Sequence, residues 1–264
     1  MKTEVFAVRW ASLILLGLSL CQSAWSIDVV RYEQGKAWNP DKTRVLYTES
    51  HWTQFSDAIP VARTVLYQCA DGAAFARKEI SYTPSRTAPA FTFKDVRQDY
   101  QEGLRWQDGK PRLWHSLAGV RQDKSLPVHA DLVADAGFDQ FVKARWALLI
   151  DEGRQPLRFA VPARLNSYAF KLQGTGTQRY RNNSAQAFTL GLDGWLGMLT
   201  PDIEVLYASD SRRLLRFKGI SNIRDDAGNG QIDTVIEFPL ADALVPLSEK
   251  TRAQAVVLKS CRVN

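Results

Sequence analysis

The chain has few of the residues that most often carry out chemistry. Its 264 residues include 3 histidines, 3 cysteines and 2 methionines. His51, His115 and His129 are far apart, none has a second ligand at helical or hairpin spacing, and H-E-x-x-H is absent. The sequence therefore offers no metal site. His115 stands between Trp114 and Ser116, the most suggestive setting of the three, but nothing nearby would make Ser116 a nucleophile. Ser221, in KGISNI, lacks the second glycine of G-x-S-x-G. There is no C-x-x-C, no internal repeat and no low-complexity tract. These absences leave no catalytic residue to name and no cofactor to expect, so the sequence reads as that of a protein that is not an enzyme.

Two acidic stretches need separate weighing. Asp225 to Asp233, DDAGNGQID, approaches a calcium loop, but either register puts Ala227, or Gly228 and Gly230, where ligand oxygens are required. A glycine-rich hairpin turn accounts for the same residues. Asp95, Asp99 and Glu102 could supply a glycosidase-like carboxylate pair. In a chain with 28 acidic residues such pairs arise by chance, and these read as solvated turn residues.

Only one long apolar run is present, and it is at the start. Lys2 and Arg9 precede Ala11 to Leu20, and Ala24-Trp25-Ser26 offers small residues for cleavage. The run is too short for an ordinary membrane span and reads as a signal peptide cut after Ser26, which places the protein in the periplasm. Lipidation at Cys21 is disfavoured by the preceding Leu20. The remainder, residues 27–264, is read as a single domain. Hydrophobic residues at 45% and aromatics at 11% suffice for a large core. The formal charge is +6, and losing Lys2, Arg9 and Glu4 leaves +5. That excess is too diffuse to indicate nucleic acid.

With Cys21 removed, Cys69 and Cys261 remain as the natural pair for a disulfide in an oxidising compartment. Each closes a strand-like run, TVLYQC and AVVLKSC. Tying the chain terminus to an early strand stabilises by about 4–5 kcal/mol in the chain-entropy view.

One segment has a clear helical period. In Asp135 to Gly153, DAGFDQFVKARWALLIDEG, the residues Phe138, Phe141, Val142, Arg145, Trp146 and Leu149 share a face. Asp135 is a fitting N-cap and Gly153 a fitting stop, so a central helix is expected over 135–152. Nearly everything else alternates like strand. The plainest hairpin joins Arg63–Cys69 to Phe75–Tyr82 through Ala70-Asp71-Gly72. Short strands are expected at Ser167–Leu172, Gln178–Arg181, Arg213–Ile223 and Ala253–Cys261. The fold class is mainly β (α+β): a strongly curved antiparallel sheet or incomplete β-barrel wrapped around one central helix.

Two groups of side chains are candidate binding residues. Phe91, Phe93, Trp106, Trp114 and Trp146 either line an apolar cavity or fill a core. Trp195, Leu196 and Met198, in DGWLGML, form a short apolar segment suited to a lid or plug. In RRLLRFKGISNIR, counting by twos gives Arg216, Lys218 and Arg224 a shared basic face. That face is either a solvated outer surface or a contact for an anionic group.

The helix GFDQFVKARW and the late strands RLLRFKGISNI and DTVIEF, behind a signal peptide and a long meander, resemble the periplasmic lipoprotein-carrier (LolA/LolB-like) superfamily and related uncharacterised exported proteobacterial proteins. The resemblance implies a curved, incomplete barrel with an apolar cavity for acyl chains. It transfers no functional residue. Three functions remain in order of preference: a periplasmic binding or carrier protein for a hydrophobic or lipidic ligand; an envelope scaffold or assembly factor working through a protein partner; and an unrecognised hydrolase. Whether the curved sheet is hollow or filled decides between the first two.

Overall fold

The computed structural model describes residues 29–194 and 202–263. Eight strands follow one another as an antiparallel meander: β1 (Val29–Trp38), β2 (Val45–Ser56), β3 (Ile59–Gln68), β4 (Ala74–Ser81), β5 (Ala90–Asp95), β6 (Tyr100–Gln107), β7 (Lys110–Leu117) and β8 (Val120–Ser125). Then come β9 (Leu132–Val133), two short helices α1 (Gly137–Ala144) and α2 (Trp146–Asp151), and a second meander. It comprises β10 (Arg154–Val161), β11 (Asn166–Tyr180), β12 (Asn183–Leu192), β13 (Ile203–Ala208), β14 (Leu214–Arg224) and β15 (Gln231–Glu237). A three-residue strand β16 (Ala243–Val245) and helix α3 (Leu247–Gln254) end the chain's regular structure.

The meanders join at one seam. β15 pairs antiparallel with β1, Lys36 opposite Glu237 and Ala37 opposite Ile236, so a single open sheet runs from β8 to β9. The fold is mainly β and the sheet is not closed into a barrel. Its two halves meet instead through a 3-10 turn at Pro162–Arg164, which packs on β6 and β7, with His115 Nδ1 3.1 Å from the Pro162 carbonyl oxygen. The edge strand β8 is almost wholly exposed and carries Arg121, Asp123 and Lys124, charges that discourage edge-to-edge pairing.

Four hairpins have two-residue loops with both φ values positive: Asp57-Ala58, Asp108-Gly109, Ala118-Gly119 and Arg181-Asn182. This geometry matches the twist of the flanking strands. Only Asp108-Gly109 has the sequence that favours it most.

Buried side chains divide between the two halves. One cluster, with Tyr47, Tyr67, Phe75, Phe93 and Leu104, belongs mainly to the first meander. The other, with Phe141, Trp146, Leu149, Leu157, Phe188 and Tyr207, belongs to the helix pair and the second meander. Burial of Phe141, Val142, Trp146 and Leu149 follows the expected apolar stripe. The single helix over 135–152 does not form, however. It breaks at Arg145, where φ is −101° and ψ 11°. Arg145 is exposed, and its non-helical angles separate two short helices that each bury an apolar face. Asp135 is not the N-cap either: its φ is +45°, and its carboxylate accepts a 2.5 Å hydrogen bond from Lys78. Gly153, at φ +74°, does end α2. Next to it the backbone is tight, since a Cβ on Gly174 would stand 2.6 Å from the Leu149 carbonyl oxygen.

Two strand expectations are corrected. Ser167–Leu172 and Gln178–Tyr180 are parts of one 15-residue strand, β11, interrupted only by a register shift between Gly174 and Gly176, and Arg181 belongs to the following loop. Ala253–Cys261 is not a strand. Leu247–Gln254 forms α3, with Glu249 in its first turn and Arg252 in its last, charges that suit the helix dipole. The rest crosses the outer face of β3 and β4, where Leu66, Ala74 and Ala253 are buried together and Lys259 donates to the Ala74 carbonyl. Both edges of β4 are already taken by β3 and β5, so the alternating AVVLKSC has no ladder to join.

Cys69 and Cys261 are disulfide-bonded, with Cα atoms 6.5 Å apart and a sequence separation of 192. Nearby, Arg97 ties three segments together. Its guanidinium, 3% exposed, binds Asp95 at 2.6 Å and Asp226 at 3.0 Å, and Asp226 also accepts from the Val263 amide. Asp225 to Gly230 forms a hydrogen-bonded hairpin turn, with Asn229 N–H on Asp225 Oδ1 at 2.9 Å.

Candidate ligand-binding cavity

Strand alternation decides which side chains face inward. On β2 the inner positions carry Tyr47, Glu49 and His51; on β3 they carry Arg63, Val65 and Tyr67. Cross-strand register then aligns one residue per strand. His51 lies opposite Val65, Val65 opposite Lys78, Lys78 opposite Phe93, Phe93 opposite Glu102 and Glu102 opposite His115. From His51 to Glu102 the row alternates ionisable and apolar residues, and Glu102 and His115 then stand side by side.

A cavity of about 380 Å³ lies between the two buried clusters. Its wall on the second-meander side is largely apolar, with Phe159, Phe170, Leu190, Val205 and Phe217, and includes the polar Tyr207, Ser221, Asn222 and Gln231. Phe138 and Ala136, at the start of the helix pair, and Ile236 and Phe238 complete the greasy surface. The opposite wall is polar and comes from the first meander, with Glu49, His51, Arg63, Lys78 and Glu102, joined by Asp135 and Asp139.

Each of these acids has a partner. His51 Nε2 donates to Glu49 Oε2 at 3.0 Å, leaving Nδ1 without a partner among the described residues. Lys78 Nζ donates to Asp135 at 2.5 Å, and the Tyr67, Phe91 and Phe93 rings lie within 6.0 Å of it. Burial opposes the Lys78 charge, but Asp135 and the Tyr67 hydroxyl outweigh it and hold the ammonium above its ordinary range. Burial likewise pushes the Tyr67 phenol up. Tyr100 Oη donates to Glu102 at 2.7 Å, and Lys143 to Asp139 at 2.8 Å.

Glu102 is raised from the usual carboxylate range, because burial outweighs the Tyr100 hydrogen bond and the field of Lys78. A folded pKa above the unfolded one means that the native state holds the proton longer. The associated stability is complete below the unfolded pKa of about 4.3 and declines as pH rises through the folded value. Glu102→Gln, which retains an acceptor for Tyr100, should therefore be more stable than the parent at neutral pH and lose less between pH 5 and pH 8 (about the range to cover). Chemical denaturation at both ends checks this; an unchanged slope would show that Glu102 does not report on folding.

Of the expected aromatic residues, Phe91 lines the cavity. Phe93 is fully buried between Tyr67 and Tyr100. Trp106 donates its indole N–H to the Ala88 carbonyl, Trp114 lies under Arg121, and Trp146 packs on Phe188 and Tyr207. None of these four reaches the cavity wall. Trp195, Leu196 and Met198 lie outside the described residues. Arg216 and Lys218 keep one face, since pairing is regular from Arg216 to Ile220, but Arg224 lies beyond a register shift. Lys218 pairs with Glu204 at 2.7 Å on the outer face, whereas Arg224 follows an irregular pairing between Ile220 and Arg224 and binds the Gly228 carbonyl. The expectation that Asp95 and Glu102 are solvated is overturned, since they are 1% and 6% exposed.

No protein-family model matches the chain, and no curated protein matches it. Among solved structures, it is similar to a β-barrel-like protein of domain of unknown function DUF1849 from Brucella abortus. Identity is 8% and the TM-score 0.40, over 83% of this chain and 98% of that one. A DUF1329 family protein from Desulfovibrio piger aligns at 7% identity and a TM-score of 0.26, over 82% of this chain and 85% of the other. Likenesses this weak transfer neither a structural detail nor a function.

Proposed function

We propose that the protein is a non-enzymatic binding or carrier protein, working in the periplasm, that shelters the apolar chain of a hydrophobic or lipidic ligand. The observation that carries this reading is the cavity of about 380 Å³ between the two cores, with a largely apolar wall on one side. Its size falls in the range of about 300–1,000 Å³ typical of small-molecule sites. An apolar chain placed there would gain roughly 0.8 kcal/mol per methylene removed from water. The disulfide suits an oxidising compartment, and no helix among the described residues is long and apolar enough to cross a membrane. The likeness of the helix and late strands to the lipoprotein carriers points the same way.

Mass spectrometry of organic extracts from the gently purified protein tests the proposal. A stoichiometric lipid is expected, and Val205→Trp, which puts an indole into the chamber, should reduce its occupancy at least about tenfold. Overpacking of this kind costs about 1–3 kcal/mol, so the variant's unfolding is measured in parallel. Empty parent protein, or equal loading in a folded variant, would turn the reading toward an envelope scaffold or assembly factor.

A further inference from the structure

Beside the chamber is a second cavity of about 280 Å³, and the two share His51, Arg63, Asp139, Leu214 and Phe238 as walls. Its own lining differs sharply. Arg31, Arg63, Lys143, Arg212 and Arg213 face it with only two carboxylates, Glu33 and Asp139.

Which of these cations are already neutralised decides what the space can hold. Arg31 binds Asp242 at 2.5 Å, Arg213 binds Glu33 at 3.0 Å, and Lys143 binds Asp139 at 2.8 Å. Arg63 and Arg212 make no ion pair among the described residues. Arg63 Nε donates to the neutral Thr53 hydroxyl at 3.0 Å, and Arg212 lies 5.3 Å over the Trp146 ring. Of the chamber's acids, Asp135 and Asp139 bind ammonium groups, Glu49 binds His51, and Glu102 accepts from the neutral Tyr100 hydroxyl. Arg63, at the junction within the field of Asp139, Glu33 and Asp135, and Arg212, in the vestibule, are the guanidinium groups with donors left for a ligand.

We infer that chamber and vestibule form one site for an anionic amphiphile, the chamber taking a single apolar chain and the vestibule a carboxylate or phosphate monoester headgroup near Arg63 and Arg212. This deepens the carrier reading and rests on it. A guanidinium suits either headgroup, because its planar fork of donors matches their oxygens. A cationic amphiphile fits poorly, since the chamber's carboxylates are engaged and the vestibule repels it.

Displacement of a fluorescent fatty-acid probe from delipidated full-length protein tests the inference. The competitors are palmitate, palmitoyl lysophosphatidate, monopalmitoylglycerol and inorganic phosphate. Both anionic amphiphiles should bind about tenfold more tightly than the neutral one, the scale of one charged hydrogen bond, and the margin should narrow as salt is added. Preference for only one of the two assigns the headgroup and supports the site. Arg212→Gln, at an exposed position, and Arg63→Gln should each shrink the margin between the anionic and the neutral amphiphiles. Equal affinity for neutral and anionic amphiphiles, a margin untouched in both variants, or displacement by inorganic phosphate at matched concentration overturns the anionic site and leaves the carrier reading intact. Failure of every amphiphile to displace the probe removes both.

Discussion

Replacing Cys69 and Cys261 together by alanine is expected to lower the thermal unfolding midpoint by about 10–20 °C. The bond closes a loop of 192 residues. In the chain-entropy view a loop of that length restricts the unfolded ensemble by about 5 kcal/mol, and for a domain of this size each kcal/mol moves the midpoint by about 2–4 °C. Calorimetry of the oxidised parent and the double variant measures the difference directly. A shift of only a degree or two would mean that the terminal segment is held by its other ties alone. Those ties are specific: the Val263 amide on Asp226, the Lys259 amide on the Ala74 carbonyl, and Ala253 against Leu66.

Lys78→Met should be nearly as damaging, at about 3–5 kcal/mol. Its ammonium is 8% exposed and binds a carboxylate that is 14% exposed, among three aromatic rings. Removing the cation leaves Asp135 in a poorly hydrated site with one backbone amide, that of Ala136, for company. The cost arises from the stranded charge more than from the value of the pair, so Lys78→Met with Asp135→Asn should recover much of the loss. Because the Lys78 pKa is raised, the pairing contributes fully below the unfolded lysine value of about 10.4 and fades as pH rises through the folded value. The single variant's deficit should thus be the same at pH 6 and pH 8, about the range accessible without disturbing other groups. Urea titrations of the two variants distinguish the cases; a double variant as unstable as the single would assign the loss to packing around the lysine's aliphatic stem.

What the sequence made legible was whatever follows a single period. The stripe of Phe141, Val142, Trp146 and Leu149, the Arg63–Tyr82 hairpin and the cysteine pair all depend on short-range pattern or on elimination. The break at Arg145 has no such local signal, and Trp146, directly after it, packs on Phe188 and Tyr207, from strands distant in sequence. In β14, register shifts on both sides of Arg216–Ile220 undo a count by twos: Leu214 and Phe217 both line the cavity, and Leu215 is buried on the other face. The polar wall was missed for a different reason. Glu49, His51, Arg63 and Lys78 occupy inward positions, and a hydropathy reading sends such residues to solvent. Fixing the inner face of the β3–β4 hairpin by Val65 and Tyr67 would have found them, since Arg63 is two residues before Val65 and Lys78 is opposite it.

The seam between the meanders also fixes an order of events as the chain emerges, at the pace of its synthesis, into the compartment where it folds. β1 finds β2 at once, but its other edge waits for β15, and Cys69 waits for Cys261, 192 residues later. At about 5–20 residues per second that delay is roughly 10–40 s. Throughout it a reactive thiol and an open strand edge coexist on a half-built sheet. Cellular yield should therefore depend on how quickly the last third of the chain arrives, whatever the stability of the finished protein.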